Sequence, residues 1–212
     1  MRAVIISNGD IDNYEYYKDI LKDGDFIICA DGAIRHCINL NVIPDLWIGD
    51  FDSCNKNEYI EKYSFLSDVP SISLNPQKDE TDTHYACNIA MERGYNKILI
   101  IGGLGKRIDH AISNIGLLEH LLSSDVCAKI EDEHNTVTVF TDNYKSVSKR
   151  KYLSLIPLDR EVVVEKTDGL LYPLDNYTMK RGMSLGVSNE KTKNEATIVL
   201  KSGTMLVVES ED

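Results

Sequence analysis

The chain has 212 residues, 42% of them hydrophobic, enough to bury a core in one or two domains. Thirty-four acidic against 23 basic residues give a formal charge of −11, which speaks against a nucleic-acid partner, since the strongest basic run, Lys149-Arg150-Lys151, reads as one solvated turn. Five scattered cysteines without a C-x-x-C pair indicate neither a disulfide framework nor a zinc site, and no apolar run approaches membrane-spanning length, so a soluble, cytoplasmic protein with no membrane contact is expected. The opening run Ala3 to Ile6 is also too short for the core of a signal peptide.

Along the first two-thirds, short apolar runs alternate with helical patterns, as in an α/β layer structure with a mostly parallel sheet. Strands are expected at Ala3 to Ser7, Phe26 to Ala30, Leu46 to Gly49, Ser71 to Leu74 and Lys97 to Gly102. The clearest helices run from Thr81 to Arg93, ending at Gly94, and from near Asp109, where Ala111, Ile115, Leu118 and Leu122 form one stripe. From about Asn135 consecutive β segments take over: Val137 to Phe140, Leu153 to Pro157, Glu161 to Glu165, Ala196 to Leu200 and Thr204 to Glu209. Lys201-Ser202-Gly203 between the last two reads as a tight hairpin. The polar stretch Thr141 to Lys149 marks a boundary between an α/β domain, residues 1–141, and a small antiparallel β domain, residues 149–212.

Acidic residues follow the predicted strands repeatedly: Asp31, then Asp50 and Asp52, then Asp79 and Asp82, then Asp109. Open α/β sheets carry ligands at that edge, so a shared site is expected. In Gly49-Asp50-Phe51-Asp52-Ser53, two carboxylates at i and i+2 of an extended segment would project to one side and suit Mg²⁺, although a surface turn has the same composition. Lys78-Asp79-Glu80-Thr81-Asp82 enters a helix; Asp79 or Thr81 can cap it, while the acids with Lys78 also suit a metal and polyphosphate. Gly102-Gly103-Leu104-Gly105-Lys106-Arg107-Ile108-Asp109-His110 joins a strand to a helix, with backbone amides and Arg107 available to phosphate. Neither the P-loop spacing nor the dinucleotide fingerprint occurs.

These motifs, in order and spacing, resemble those of the thiamine pyrophosphokinases: Ala30-Asp31-Gly32, Gly49-Asp50-Phe51-Asp52-Ser53, Lys78-Asp79-x-Thr81-Asp82 and Gly102-x-x-Gly105-x-Arg107-x-Asp109-His110. The β part is similar too, through Leu153 to Leu158, Thr167-x-Gly169-Leu170-x-Tyr172-Pro173-Leu174 and Gly186-Val187-Ser188-Asn189-Glu190. The resemblance implies a Rossmann-like domain followed by a small antiparallel β-sandwich, and transfer of the diphosphate of ATP to the hydroxyl of thiamine with Mg²⁺. It implies a homodimer with thiamine between the α/β domain of one subunit and the β domain of the other.

Carried over, Asp50, Asp52, Asp79 and Asp109 would surround magnesium and the reacting groups, with Asp82 at the same site and Thr81 supporting it. Asn8, Gly9, Asp31, Gly105 and Arg107 would hold ATP, and Ser188 and Asn189, with Thr81 and Asp82, would meet thiamine. The chain departs from the family's usual glycines at Ala33 and Lys106. Two rivals stand beside this reading: a pyrophosphokinase for another heterocyclic alcohol such as a pterin, and a non-catalytic nucleotide- or thiamine-binding module, which has no need of all the acids.

Overall fold

A computed structural model describes residues 1–52 and 54–211 and divides into two compact units, residues 1–133 and 134–212. Unit 1 runs β1 (Ala3–Ile6), α1 (Tyr14–Ile20), β2 (Phe26–Ala30), α2 (Ile34–Leu40), β3 (Leu46–Gly49), α3 (Lys56–Lys62), β4 (Ser71–Ser73), α4 (Asp82–Glu92), β5 (Lys97–Ile101), α5 (Ile108–Ser123) and β6 (Cys127–Glu131). Short 3-10 turns at Asp31–Ala33 and Ser64–Asp68 complete it.

The strands of unit 1 are parallel, in the order β6-β5-β1-β2-β3-β4. Central strands buried on both faces read as unbroken apolar runs, and Ala3–Ile6 is buried at every position. Ile5 lies in register with Ile28 on one side and Ile100 on the other, all three fully buried. Each such side chain contributes about 1.5–3 kcal/mol. Helices α1, α3 and α4 start where Asn13, Asn55 and Thr81 accept the backbone N–H three residues on. Helix α4 stops before Gly94, which takes a left-handed φ of +83°. The buried face of α5 is Asn114, Leu117, Leu118 and Leu121, turned slightly from the expected stripe, so that Ile115 and Leu122 flank it half-buried.

Unit 2 holds β7 (Asn135–Phe140), β8 (Asn143–Ser146), β9 (Tyr152–Pro157), β10 (Glu161–Asp168), β11 (Asp175–Lys180), β12 (Asn189–Glu190), β13 (Ala196–Ser202) and β14 (Met205–Ser210). They form two antiparallel sheets, β12-β9-β14-β7 and β11-β10-β13-β8. Leu153, Leu155, Met205 and Val207 of the first share one core with Val162, Val164, Ile198 and Leu200 of the second, which makes a sandwich.

Two expectations are corrected here. The Lys201-Ser202-Gly203 turn does not close a hairpin: β13 pairs with β10 and β8, while β14 pairs with β7 and β9. Alternating apolar residues on both strands face the shared core, so the chain crosses from one sheet to the other at Gly203. The polar stretch Thr141 to Lys149, read as the domain boundary, instead lies within unit 2, where β8 pairs with β13 from Ala196↔Ser146 to Val199↔Asn143. The units divide earlier, between Glu133 and His134, and β7 falls in unit 2 through its pairing with β14.

Candidate active site

In unit 1 the connections leave β1 toward β2 on one side, and the chain later returns to place β5 on the other. The loops after β1 and β5 therefore part at a topological switch point, where open α/β sheets bind ligands. A pocket of about 590 Å³ opens there, lined by Asn8 to Asp10, Asp31, Asp50, Asp52, Lys78, Thr81 to Thr83, Gly102 to Arg107, His110 and Asn114. Backbone bonds tie the two loops together, Ser7 N to Ile101 O and Gly9 N to Gly102 O, each 2.9 Å, and Asn114 of α5 holds the carbonyl of Gly103 at 2.8 Å.

Asp31, Asp50 and Asp82 converge, each offering a carboxylate oxygen within 4.8 Å of the others. Asp31 stands directly after β2 with φ of 46°, an uncommon conformation for a residue with a Cβ. Its carbonyl accepts from the Trp47 indole at 2.9 Å, and the Cys54 thiol lies 3.7 Å from Oδ1. Burial, then the charge of Asp31, pushes the Cys54 thiol up to about 12, so it stays protonated and able to donate. A Cβ at Gly49 would come within 2.8 Å of the Asp31 Cβ; glycine at the end of β3 is what lets Asp31 sit there.

Asp50 and Asp52 share a side for a different reason from the one expected. Past Gly49 the chain leaves the strand, Phe51 adopts φ of 59°, and the amide of Asp52 donates to Asp50 Oδ1 at 3.2 Å. A turn, not strand alternation, sets the pair. Ser53, which closes the motif, lies outside the described residues. The Asp52 carboxyl, exposed at the rim, is raised above its ordinary value chiefly by the charge of Asp50.

Asp82 opens α4, and its pKa is raised by burial; the pull of Lys78 lowers it, and the charges of Asp50 and Asp31 add to the rise. Lys78 Nζ lies 2.8 Å from Asp82 Oδ1 and 3.7 Å from Asp50 Oδ2. The first contact is an ion pair without hydrogen-bond alignment, because Asp82 Oδ1 has no hydrogen-bond partner among the described residues. Burial opposes the charge on Lys78, yet Asp82 and Asp50 hold its pKa above the ordinary value. One ammonium group thus contacts two of the three clustered carboxylates, Asp50 and Asp82, while Asp31 and the rim carboxylate of Asp52 add further negative charge.

Thr81 is the cap of α4, with the His84 amide donating to its Oγ1 at 3.2 Å, and it also lines the pocket. Asp79 is exposed and is absent from the pocket wall. Asp109 is also exposed and outside the wall, paired with Arg107 at 2.5 Å, while Arg107, Gly105 and His110 are on it. Lys106 is 90% exposed, its ammonium 3.8 Å from Asp10. Asn8 and Gly9 line the pocket and are held from behind by Arg35, which sequence reasoning passed over although it lies one helical turn beyond Asp31-Gly32.

Ser188 and Asn189 belong to unit 2. Ser188 is exposed at φ of 57°, with its amide donating to Ser154 Oγ at 3.0 Å. The Asn189 side chain is buried and doubly engaged, accepting from Tyr172 N at 3.0 Å and donating to Tyr172 O at 2.7 Å. No helix is long and apolar enough to cross a membrane among the described residues.

Comparison with known proteins follows the same two-part division. A family model described as the catalytic domain of thiamin pyrophosphokinase matches residues 17–130, and one described as its vitamin B1 binding domain matches residues 133–205. The chain is 29% identical over 191 residues to a thiamine pyrophosphokinase of Bacillus subtilis, covering 87% of each. It superposes on a crystal structure of thiamine pyrophosphokinase from Bacillus subtilis with a TM-score of 0.90, 25% identity and full coverage of both chains. A thiamin pyrophosphokinase structure from Geobacillus thermodenitrificans gives 0.87 and 26%, covering 100% of this chain and 98% of that one.

Proposed function

The chain belongs to the thiamin pyrophosphokinase family, and on that premise we propose that its ATP-dependent diphosphorylation of thiamine takes place in the carboxylate-lined pocket of unit 1. The observation that carries this reading is the convergence of Asp31, Asp50 and Asp82 within 4.8 Å, in excess over Lys78, at the sheet's switch point. Three hard oxygen donors and a raised Asp82 make a donor set that fits a divalent cation. Mg²⁺ held by Asp31, Asp50 and Asp82, with Asp52 beside them, would neutralise the phosphate oxygens that the carboxylates otherwise repel.

The thiamine hydroxyl oxygen attacks the β-phosphorus of ATP, the bond from that phosphorus to the α,β-bridging oxygen breaks, and AMP leaves with it. Positioning and charge neutralisation dominate such transfers. Asn8, Gly9, Gly105 and Arg107 are the proposed nucleotide contacts, and Arg107 reaches phosphate by exchanging its exposed partner Asp109 for an anion. Of Asp79 and Asp82, either of which could take the hydroxyl proton, only Asp82 lines the pocket. Asp79 and Asp109 act from outside the pocket wall.

Ser188 is a proposed thiamine contact in unit 2. Asn189 supports it by fixing the backbone of Tyr172. A homodimer is the proposed assembly. The test is incubation with Mg-ATP and thiamine: equal amounts of AMP and thiamine diphosphate are expected. ADP with thiamine monophosphate, or no reaction with thiamine, would overturn the reading.

A further inference from the structure

Behind the nucleotide loop lies a group of side chains that the reaction itself does not use. His36, on α2, is 2% exposed, and its two ring nitrogens are both engaged. Nε2 stands 2.7 Å from the carbonyl of Gly9 and Nδ1 stands 2.8 Å from the hydroxyl of Tyr14, which in turn receives Asn39 Nδ2 at 2.9 Å. A carbonyl can only accept, so Nε2 carries the hydrogen. The Asn39 donor occupies the Tyr14 oxygen, leaving the Tyr14 O–H to point at Nδ1. The chain of bonds has one direction, from Asn39 through Tyr14 and His36 to the Gly9 carbonyl.

Arg35, the neighbouring residue on α2, reaches the same loop. It donates to the Asn8 carbonyl at 2.9 Å, to the Gly9 carbonyl at 3.3 Å and to the Asn8 side-chain oxygen. Two successive carbonyls are thereby turned toward α2. In a trans peptide the N–H points away from the C=O, so the amides of Gly9 and Asp10 are turned the other way, toward the loop after β5. For Gly9 this is visible in its bond to Gly102 O at 2.9 Å. The Asp10 nitrogen faces Gly105, where a Cβ would stand 3.3 Å from it, and both residues line the pocket.

We infer that His36 and Arg35 are positioning residues for the nucleotide, holding the Asn8–Asp10 backbone so that its carbonyls face α2 and the Asp10 N–H is presented to a phosphate oxygen. The inference rests on the proposed use of this pocket for ATP. In this arrangement the His36 ring is neutral, because Nδ1 accepts from Tyr14 while Nε2 donates to Gly9. Burial, then the charge of Arg35, pushes its pKa down to about 4, which keeps it neutral at working pH. Without these donors the peptides are free to turn a carbonyl dipole toward the triphosphate, where it repels.

The test compares His36→Leu, which removes both bonds, with His36→Gln, whose amide can still donate to Gly9 O. His36→Leu is expected to raise KM for ATP by about three- to tenfold with KM for thiamine within twofold, and His36→Gln is expected to restore most of the loss. Equal rises in both KM values, or a normal KM for ATP in folded His36→Leu, would overturn the inference. Should His36→Leu not fold, Arg35→Met supplies the same comparison: a selective rise in KM for ATP supports the inference and an unchanged one overturns it. Wild-type protein that binds no Mg-ATP in calorimetry would sink the reading of the pocket itself, which is a different outcome.

Discussion

Each unit of this chain buries carboxylates beside a lysine, and the two solve the resulting charge problem in opposite ways. In unit 2, Glu209 receives Lys191 at 3.1 Å and the Tyr144 hydroxyl at 2.6 Å, and Lys191 also reaches Ser146 Oγ at 3.1 Å and Ser148 O at 2.6 Å. With side-chain exposures of 5% and 2%, the pair is self-contained: one negative charge, one positive charge, every approach satisfied. In unit 1, Lys78 faces Asp50 and Asp82 while Asp31 adds a third carboxylate and Asp52 a fourth at the rim. A balanced buried network is structural; a cluster left with net negative charge at a pocket mouth has room for a cation that the chain does not supply.

The contrast is broken most severely by removing charge from the unbalanced cluster. Asp50→Asn keeps shape but loses a proposed cation ligand, and turnover is expected to fall by about a thousandfold with the fold intact, measured by AMP release at saturating substrates. In the balanced network the damage should be to stability instead. Lys191→Met strands Glu209 in the interior, at an expected cost of about 3 kcal/mol by urea denaturation, with the catalytic residues of unit 1 untouched. A Lys191→Met protein of normal stability would show that the network is incidental.

A smaller effect sharpens the comparison through its sign. The Asp82 carboxyl is raised from 3.8, by burial and then by Asp50 and Asp31 against Lys78, so the folded state holds its proton more tightly than the unfolded chain. That contribution to stability is present below pH 3.8 and is lost as pH rises through the raised value. Glu209 is the reverse: burial works against its charge, yet hydrogen bonds from Ser148, Tyr144 and Lys191 hold it below 4.5. Its contribution is present above pH 4.5 and is lost as pH falls through the lowered value. Urea midpoints across this range, in chelator, should therefore lose the decline on the rising side in Asp82→Asn and the decline on the acid side in Glu209→Gln. Parallel profiles for the two variants would contradict the contrast.

What the sequence disclosed follows the reach of the forces involved. The strands of unit 1 were legible because unbroken apolar runs such as Ala3–Ile6 and Leu46–Gly49 announce burial on both faces, and acids directly after them fell at one sheet edge. Thr81 and Gly94 gave the ends of α4 by local capping chemistry. Asp79 and Asp109 are direct sequence neighbours of the pocket residues Lys78 and His110, yet neither forms part of the wall; their direction is set by helix entry, which spacing does not encode. The partners of β13 and β14 are likewise non-local, so a glycine turn between them was compatible with a hairpin or with a step between sheets. Asp31 was expected at the shared acidic site but in an ATP-binding role; the close approach that Gly49 permits is what sets it within ligand distance of Asp50 and Asp82.

The most direct measurement of the central claim, that the charge excess in unit 1 is reserved for a divalent cation, is the thermal unfolding midpoint titrated with Mg²⁺ in wild type and in Asp50→Asn. Because a ligand that binds only the folded state raises its stability, the wild-type midpoint should climb with Mg²⁺. Asp50→Asn, relieved of one repelling charge, should start higher without the cation, by about 1 kcal/mol, and respond far less. Equal starting midpoints with equal responses would contradict the account.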